Sequence, residues 1–134
     1  MIGKLNHVAI VVPDLEVAAK SYSTVLGADV SDPVDLPTHG VTTVFVTLPN
    51  SKIELLYPLD LNSPVKSFLD RNPNGGIHHI CFEVEDIYLE IKRLENEGFS
   101  FIEPKIRDGA DNKRIAFLHP KEANGILIEL SQKK

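Results

Sequence analysis

An internal repeat constrains the fold of this 134-residue chain more than any other feature. The segment His7-Val8-Ala9-Ile10 matches His79-Ile80-Cys81-Phe82, and Ile53-Glu54-Leu55 matches Ile128-Glu129-Leu130. The two histidines are 72 residues apart and the two glutamates are 75 apart, so a few residues are inserted in the second copy. Self-similarity of this kind indicates two copies of one supersecondary unit, which complete a core by pairing.

Each copy reads as one strand, one helix and three further strands. The first begins with a β-branched strand over 5–12, after which Asp14 caps a helix that Gly27 closes. Pro33 and Pro37 make 30–37 an edge strand or a loop. The other predicted elements are strands 41–48 and 52–57, a linker helix about 62–73, strand 77–84, a helix from Asp86 to about Glu97, and strands 99–106, 114–119 and 125–130. We therefore predict an α+β fold of two βαβββ modules, about 4–60 and 77–132, within a single domain over 1–134.

Charge and composition exclude several classes of protein. Fourteen Lys and Arg residues against nineteen Asp and Glu give a net charge of −5, which does not suit a nucleic-acid-binding protein. No apolar run approaches the ~20 residues of a membrane span. The one cysteine, Cys81, excludes an internal disulfide and a cysteine-based zinc site. Because no signal or transit peptide is visible, we expect a soluble cytoplasmic protein, or a mitochondrial-matrix protein whose transit peptide has been removed.

The polar residues of the repeat predict a metal centre. Alternation along a strand places His7 on the face of Ala9, and it turns Glu54 away from its apolar neighbours. Each residue has a simpler interpretation by itself, as a core or rim histidine or as an exposed glutamate beside a cation. Both pairs fall on the repeat, however, and a buried carboxylate is costly unless it is paired or bound to a metal. The joint pattern favours one divalent cation, of a first-row metal such as zinc, held by His7, Glu54, His79 and Glu129.

Several longer segments carry a family resemblance over almost the whole chain. They are Leu5-Asn6-His7-Val8-Ala9-Ile10, Gly40-Val41, Ile53-Glu54-Leu55-Leu56, Gly75-Gly76-Ile77-His78-His79-Ile80, Phe117-Leu118-His119-Pro120-Lys121 and Gly125-Ile126-Leu127-Ile128-Glu129-Leu130. On these segments the chain resembles the vicinal oxygen chelate superfamily, which includes glyoxalase I, and within it the methylmalonyl-CoA epimerases. The resemblance implies a glyoxalase-like open barrel built from the two modules.

The resemblance also implies a function and its residues. It implies metal ligands at His7, His79 and Glu129, with Glu54 at the fourth position, and cobalt as the ion, with Mn²⁺, Ni²⁺ or Zn²⁺ as alternatives. The implied reaction interconverts (R)- and (S)-methylmalonyl-CoA by removal and return of a proton through a metal-stabilised enolate. Several bacterial members carry a glutamate three residues after the glycine of the Gly-Val segment, where this chain has Thr43, which cannot act as a base. We therefore predict that Glu54 and Glu129 are the catalytic bases.

Partners and alternatives follow from the same resemblance. The implied partners are a coenzyme A thioester as substrate and a second copy of the chain in a homodimer. Basic residues of the second half could contact the phosphates of the substrate, or could simply form a solvated surface; they are Lys105, Arg107, Lys113, Arg114 and Lys121. Two other functions remain open: a lactoylglutathione lyase of the glyoxalase I type, and a non-catalytic ligand-binding protein of the same superfamily.

Overall fold

A computed structural model describes residues 1–134 and contains nine β-strands and three α-helices. The chain divides into two compact units, one formed by residues 7–78 and the other by residues 1–6 with 79–134. The elements are β1 Leu5–Val11, α1 Leu15–Lys20, β2 Asp29–Val30, β3 Val34–Leu36, β4 Val41–Thr47, β5 Lys52–Pro58, α2 Pro64–Arg71, β6 Gly76–Glu83, α3 Ile87–Asn96, β7 Arg107–Gly109, β8 Lys113–Leu118 and β9 Leu127–Lys133. The helices and strands confirm the predicted α+β class.

The unit of residues 7–78 contains four strands paired in the order β2-β4-β5-β1, with β3 also paired to β4. β1 and β5 run parallel, whereas β4 and β5 form an antiparallel hairpin. On one face Val44, Val46 and Leu55 pack against side chains of α1. On the other face Ala9 and Leu56 pack with α2. The face that carries the polar repeat residues is therefore partly covered by the linker helix.

The unit that contains residues 79–134 has the strand order β6-β9-β8-β7. β6 and β9 run parallel, as β1 and β5 do, and β8 pairs antiparallel with β9. Its core joins Ile87 and Ile91 of α3 to Ala116, Leu118 and Leu130 of the strands. The first strand, the helix and the last two strands of each unit thus correspond, as the repeat predicts.

Both helices that follow the first strands begin as predicted. Asp14 accepts a hydrogen bond from the Val17 amide, and Asp86 accepts bonds from the Tyr88 and Leu89 amides. The helix predicted up to Leu26 is continuous over 15–25, but only α1 is α-helical, and a π-helical segment follows over Ser21–Val25. There the Ser21 hydroxyl donates to the Val17 carbonyl, a side-chain bond that competes with regular helix geometry.

One other predicted element differs from the structure, and one agrees with it. The predicted strand 99–106 is wrong: only Phe101 forms a bridge, to Leu118, and β7 begins at Arg107. Pro104 explains the interruption, because it has no amide hydrogen for a strand ladder. The segment 30–37, predicted as an edge strand or loop, forms the short strands β2 and β3. None of the helices has the length and apolar character needed to cross a membrane.

Candidate active site

His7 and Glu54 form a pair within the unit of residues 7–78. Ala9 is the direct partner of Glu54 across the parallel β1–β5 ladder, and His7 shares the face of Ala9 by strand alternation. The His7 Nε2 atom lies 2.9 Å from the Glu54 Oε2 atom, and the two side chains are 9% and 15% exposed. The imidazole therefore supplies a polar partner to a carboxylate that is largely removed from water.

His79 and Glu129 form the equivalent pair in the other unit. Cys81 is the direct partner of Glu129 across the parallel β6–β9 ladder, the register that joins Ala9 to Glu54 in the first copy. The His79 Nε2 atom lies 3.1 Å from the Glu129 Oε2 atom, and the side chains are 11% and 10% exposed. The structure therefore places each predicted histidine beside the glutamate of its own copy.

The donor atoms of each pair fit a divalent cation. Imidazole nitrogen and carboxylate oxygen bind first-row divalent ions such as zinc at roughly 2.0–2.2 Å, so two such ligands at 90° around an octahedral ion lie about 3 Å apart. The observed separations of 2.9 Å and 3.1 Å match this value. Nitrogen and oxygen donors also suit cobalt, nickel and manganese. His7, Glu54, His79 and Glu129 are therefore chemically suited to a metal.

An aromatic residue stands directly across from each glutamate. Phe45 is the antiparallel partner of Glu54, and Phe117 is that of Glu129. The Phe117 ring also meets the His79 ring edge to face, with centroids 6.2 Å apart. Direct partners share a face, so these rings reduce the contact of the carboxylates with water. Phe45 and Phe117 were not among the predicted site residues. The sequence did contain a signal for them, because the strand before each glutamate carries a phenylalanine in both copies of the repeat.

Three further residues lie near the proposed ligands in the sequence or in the sheet. The Cys81 thiol is buried and lies 3.4 Å from the Ser131 hydroxyl, which agrees with a small packing residue. The His78 ring, of opposite parity to His79, stacks edge to face on Phe68 at 5.3 Å. Thr43 is fully buried on β4, and its hydroxyl has no hydrogen-bond partner.

The basic residues of the second half have separate surroundings. Lys105 pairs with Glu95, whose carboxylate accepts a hydrogen bond and raises the pKa of the lysine. The Arg107 guanidinium lies over the Phe117 ring at 5.4 Å, whereas that of Arg114 lies 5.9 Å from the Tyr88 ring centroid. These residues therefore do not share one environment, and Arg107 is the one beside an aromatic residue of the candidate site.

Comparison with known proteins identifies the family. Residues 6–117 match the model of the Glyoxalase/Bleomycin resistance protein/Dioxygenase superfamily. The ethylmalonyl-CoA/methylmalonyl-CoA epimerase of Cereibacter sphaeroides is 58% identical over 98% of this chain and 99% of that protein. This chain belongs to the methylmalonyl-CoA epimerase family. A second family member, the mitochondrial methylmalonyl-CoA epimerase of Dictyostelium discoideum, is 54% identical over 98% of this chain and 80% of that protein.

Solved structures of the family have the same fold. The crystal structure of methylmalonyl-CoA epimerase from Mycobacterium tuberculosis superposes with a TM-score of 0.89 at 33% identity, over 99% of this chain and 89% of that one. The Streptomyces coelicolor methylmalonyl-CoA epimerase in complex with 2-nitronate-propionyl-CoA gives a TM-score of 0.88 at 27% identity, over 99% and 96% of the two chains. The predicted glyoxalase-like fold class is therefore confirmed.

Proposed function

We propose that this chain is a methylmalonyl-CoA epimerase that interconverts the (R) and (S) forms of its substrate by removing and returning the proton at C2. The repeated His–Glu pair, in the same strand register in both copies, is the observation that carries the proposal. Epimerisation needs a base on each side of the reacting carbon, and a duplicated chain supplies two equivalent carboxylates. The names of the family members agree with this reaction.

We further propose that His7, Glu54, His79 and Glu129 together bind one divalent cation, with Co²⁺ expected and Mn²⁺, Ni²⁺ or Zn²⁺ as alternatives. The donor separations within each pair and the general use of divalent metals in the superfamily support this assignment. When bound, the ion supplies a positive charge that stabilises the negative charge developing on the thioester oxygen during deprotonation.

Glu54 and Glu129 are the proposed bases, one on each face of the bound acyl group. Each carboxylate is largely buried, which keeps water from competing for the proton during transfer. The Nε2 atoms of His7 and His79 lie beside these carboxylates, where one ion would hold both members of a pair. Each glutamate would then act as a base through the oxygen that does not bind the ion. Thr43 offers no basic group, so both bases are assigned to the repeat.

A proton-exchange assay in heavy water tests the proposed function. The purified protein is incubated with (S)-methylmalonyl-CoA after treatment with a chelator, then with added Co²⁺, and deuterium at C2 is followed by mass spectrometry. We expect epimer formation with deuterium incorporation that depends on the added metal. Turnover of the hemithioacetal of methylglyoxal and glutathione in a parallel assay, without epimerisation, would indicate a glyoxalase I. Binding of methylmalonyl-CoA without exchange would indicate a ligand-binding protein.

We also propose a homodimer in the bacterial cytoplasm, with the mitochondrial matrix as the alternative location. Apolar side chains on the outer surface support an association, since Val25 and Leu26 are 79% and 69% exposed. The relative from Cereibacter sphaeroides fits a bacterial location, and the mitochondrial relative from Dictyostelium discoideum fits the alternative. Light scattering coupled to gel filtration would measure the mass in solution.

A further inference from the structure

Lys52 is a cation on the face of the sheet that carries His7 and Glu54. It is the direct partner of His7 across the parallel β1–β5 ladder, and it stands two residues before Glu54 in β5. Direct partners share a face of a sheet, and so do residues two apart in one strand. The Lys52 side chain therefore starts on the same face as the imidazole and the carboxylate, about 7 Å along the strand from Glu54.

The Lys52 ammonium group has no partner within the chain. The residue is half-buried, yet its side chain forms no hydrogen bond and no ion pair, because the Glu54 carboxylate pairs with His7 instead. The other two lysines of this unit, Lys20 and Lys66, each pair with a carboxylate one helical turn away. The positive charge of Lys52 is therefore available to an anion that comes from outside the chain.

Lys52 stands at the end of this face that α2 leaves uncovered. The helix packs on Leu56, which lies two residues beyond Glu54 in β5. At the other end of the strand Thr47, the direct partner of Lys52 on β4, is exposed. The uncovered approach along β5 to the Glu54 carboxylate therefore passes the Lys52 side chain.

The second copy of the repeat has no such cation. The glutamates of the two copies are 75 residues apart, so position 127 is equivalent to position 52, and it is occupied by leucine. Leu127 is the direct partner of His79, as Lys52 is of His7. The repeat thus supplies two histidines and two glutamates but one lysine, which matches a substrate with a single anionic group at its reacting end.

We propose that Lys52 binds the free carboxylate of the substrate and makes the site select thioesters whose acyl group carries a carboxylate. The inference rests on the proposed function, which places the reacting carbon beside Glu54. In a 2-carboxyacyl thioester the carboxylate is attached directly to that carbon, so the substrate brings a second negative charge close to Glu54. The Lys52 ammonium group, at the end of a flexible four-carbon stem, offsets the repulsion between the two carboxylates.

The position of Lys52 favours this carboxylate over the phosphates of coenzyme A. The lysine is only two strand residues from Glu54, so its ammonium group serves a group close to the reacting carbon. The phosphates lie at the far end of the pantetheine arm and are therefore remote from Glu54 when the acyl group is bound there.

Lys20 provides a matched control in the same unit. It lies on α1, and that helix packs on the opposite face of the sheet, against Leu55. Its side chain is 74% exposed and makes only an exposed helical pair with Glu16, at 3.8 Å. Lys20→Gln therefore removes the same charge from the same unit without changing the face that carries Glu54.

The test measures the binding of two ligands by isothermal titration calorimetry, with every protein at the same metal loading. Racemic methylmalonyl-CoA carries the carboxylate, and turnover does not change its composition; propionyl-CoA carries the same phosphates without the carboxylate. We expect Lys52→Gln to weaken methylmalonyl-CoA binding by about tenfold or more, as expected for loss of a hydrogen bond between charged groups. Propionyl-CoA binding should change less than about twofold, and Lys20→Gln should bind both ligands like the wild type.

Two outcomes would overturn the proposal. Equal weakening of both ligands by Lys52→Gln would assign the ammonium group to a phosphate of coenzyme A, and no weakening of either would assign it no ligand. Lys52→Met keeps most of the apolar stem without the charge, so it provides the same test if Lys52→Gln does not fold. Lys52→Arg keeps the charge and should retain most of the preference for methylmalonyl-CoA. Failure of the wild type to epimerise methylmalonyl-CoA would instead reject the proposed function.

Discussion

Thr43 is the direct antiparallel partner of Leu56, and its fully buried hydroxyl has no hydrogen-bond partner. An unpaired buried hydroxyl is unfavourable by about 1–3 kcal/mol, whereas a methyl group of the same shape is not. Thr43→Val should therefore raise the free energy of unfolding by about 1 kcal/mol. Urea denaturation followed by circular dichroism would measure the change, and epimerase turnover should be retained because threonine supplies no base.

Thr42→Val is the control for this substitution. The Thr42 hydroxyl donates to the Asp35 Oδ1 atom at 2.8 Å on the neighbouring strand, so its removal breaks an exposed bond and should lower stability slightly or leave it unchanged. A loss of more than about 1 kcal/mol in Thr43→Val would contradict the prediction and show that the hydroxyl has a structural partner.

Removing either proposed base should stop the reaction without altering the shape of the site. Glu129→Gln and Glu54→Gln replace a carboxylate by an amide of the same size, and each should lower the epimerisation rate by about 100-fold or more. Coupled kinetics with each enantiomer would measure the loss, and metal analysis would show whether the variants retain the ion. Glu83→Gln, on β6 opposite Ser131, is a matched control that should keep its activity. Wild-type turnover in Glu129→Gln would exclude this residue as a base.

Metal binding should be visible as thermal stabilisation. A ligand that binds only the folded state stabilises it by mass action, so excess Co²⁺ should raise the melting temperature of chelator-treated protein. His79→Ala should abolish this rise, because His79 lies beside Glu129. His78→Ala should keep it, since the His78 ring packs on Phe68. An equal Co²⁺ response in wild type and His79→Ala would remove His79 from the proposed ligand set.

Glu90 should make stability depend on pH in the acid range. Its side chain is 5% exposed and accepts hydrogen bonds from Arg93 at 2.5 Å and 3.2 Å, and the Met1 amine lies 2.6 Å away. The Arg93 hydrogen bonds, followed by those of the amine, hold the pKa of Glu90 at about 2 against an ordinary value of 4.5. The folded state therefore favours the ionised form of Glu90. The stabilisation of the folded state by the Glu90 carboxylate is complete above about pH 4.5 and is lost as the pH falls toward 2.

Glu90→Gln should therefore lower the free energy of unfolding by on the order of 2–3 kcal/mol at pH 7, and this difference should shrink as the pH approaches 2. Chemical denaturation at a series of pH values would measure it. Glu16→Gln removes an exposed helical pair with Lys20, at 3.8 Å, and should change stability by less than about 0.5 kcal/mol at every pH. A difference that persists unchanged at pH 2 would reject the ionised Glu90 as its cause.

Gly75, in the turn between the two repeats, should be less replaceable than Gly27. Its φ is +81°, and a Cβ atom there would lie 2.4 Å from the Val11 carbonyl oxygen. Gly27 also has a positive φ, +71°, but a Cβ atom would meet nothing within 4 Å. Gly27→Ala should cost about 1 kcal/mol of stability, for backbone strain alone, and Gly75→Ala at least twice that. Equal losses in thermal unfolding would show that the Val11 contact relaxes freely.

The faces on which the histidines and glutamates lie could be predicted from the sequence, because strand alternation is a strict, local rule. His7 and Ala9 share a face by that rule, and the observed partnership of Ala9 with Glu54 then places the imidazole beside the carboxylate. The order of the strands in each unit also follows from the repeat, since both copies have the same parallel pair.

Other features depend on contacts that a sequence pattern does not contain. The π-helical segment after Lys20 follows from a side-chain bond of Ser21. The missing strand before Arg107 is different, because Pro104 in the sequence already argued against a continuous strand there. The position of Arg107 over Phe117 requires the β7–β8 register, and a strand as short as β7 does not specify this register from its sequence. The coverage of Leu56 by α2 is likewise a tertiary contact.

The shared register of the β1–β5 and β6–β9 ladders separates two kinds of change that the chain can undergo. His7 and Glu54 are 47 residues apart, whereas His79 and Glu129 are 50 apart, so the connection between the paired strands has varied in length. A single insertion inside either ladder would instead turn a glutamate toward the apolar face, which packs on α1 or α3, and away from its histidine. Selection on such an enzyme should therefore tolerate changes of length in the connecting segments. Within the paired strands it should preserve which residues face the site and which face the core.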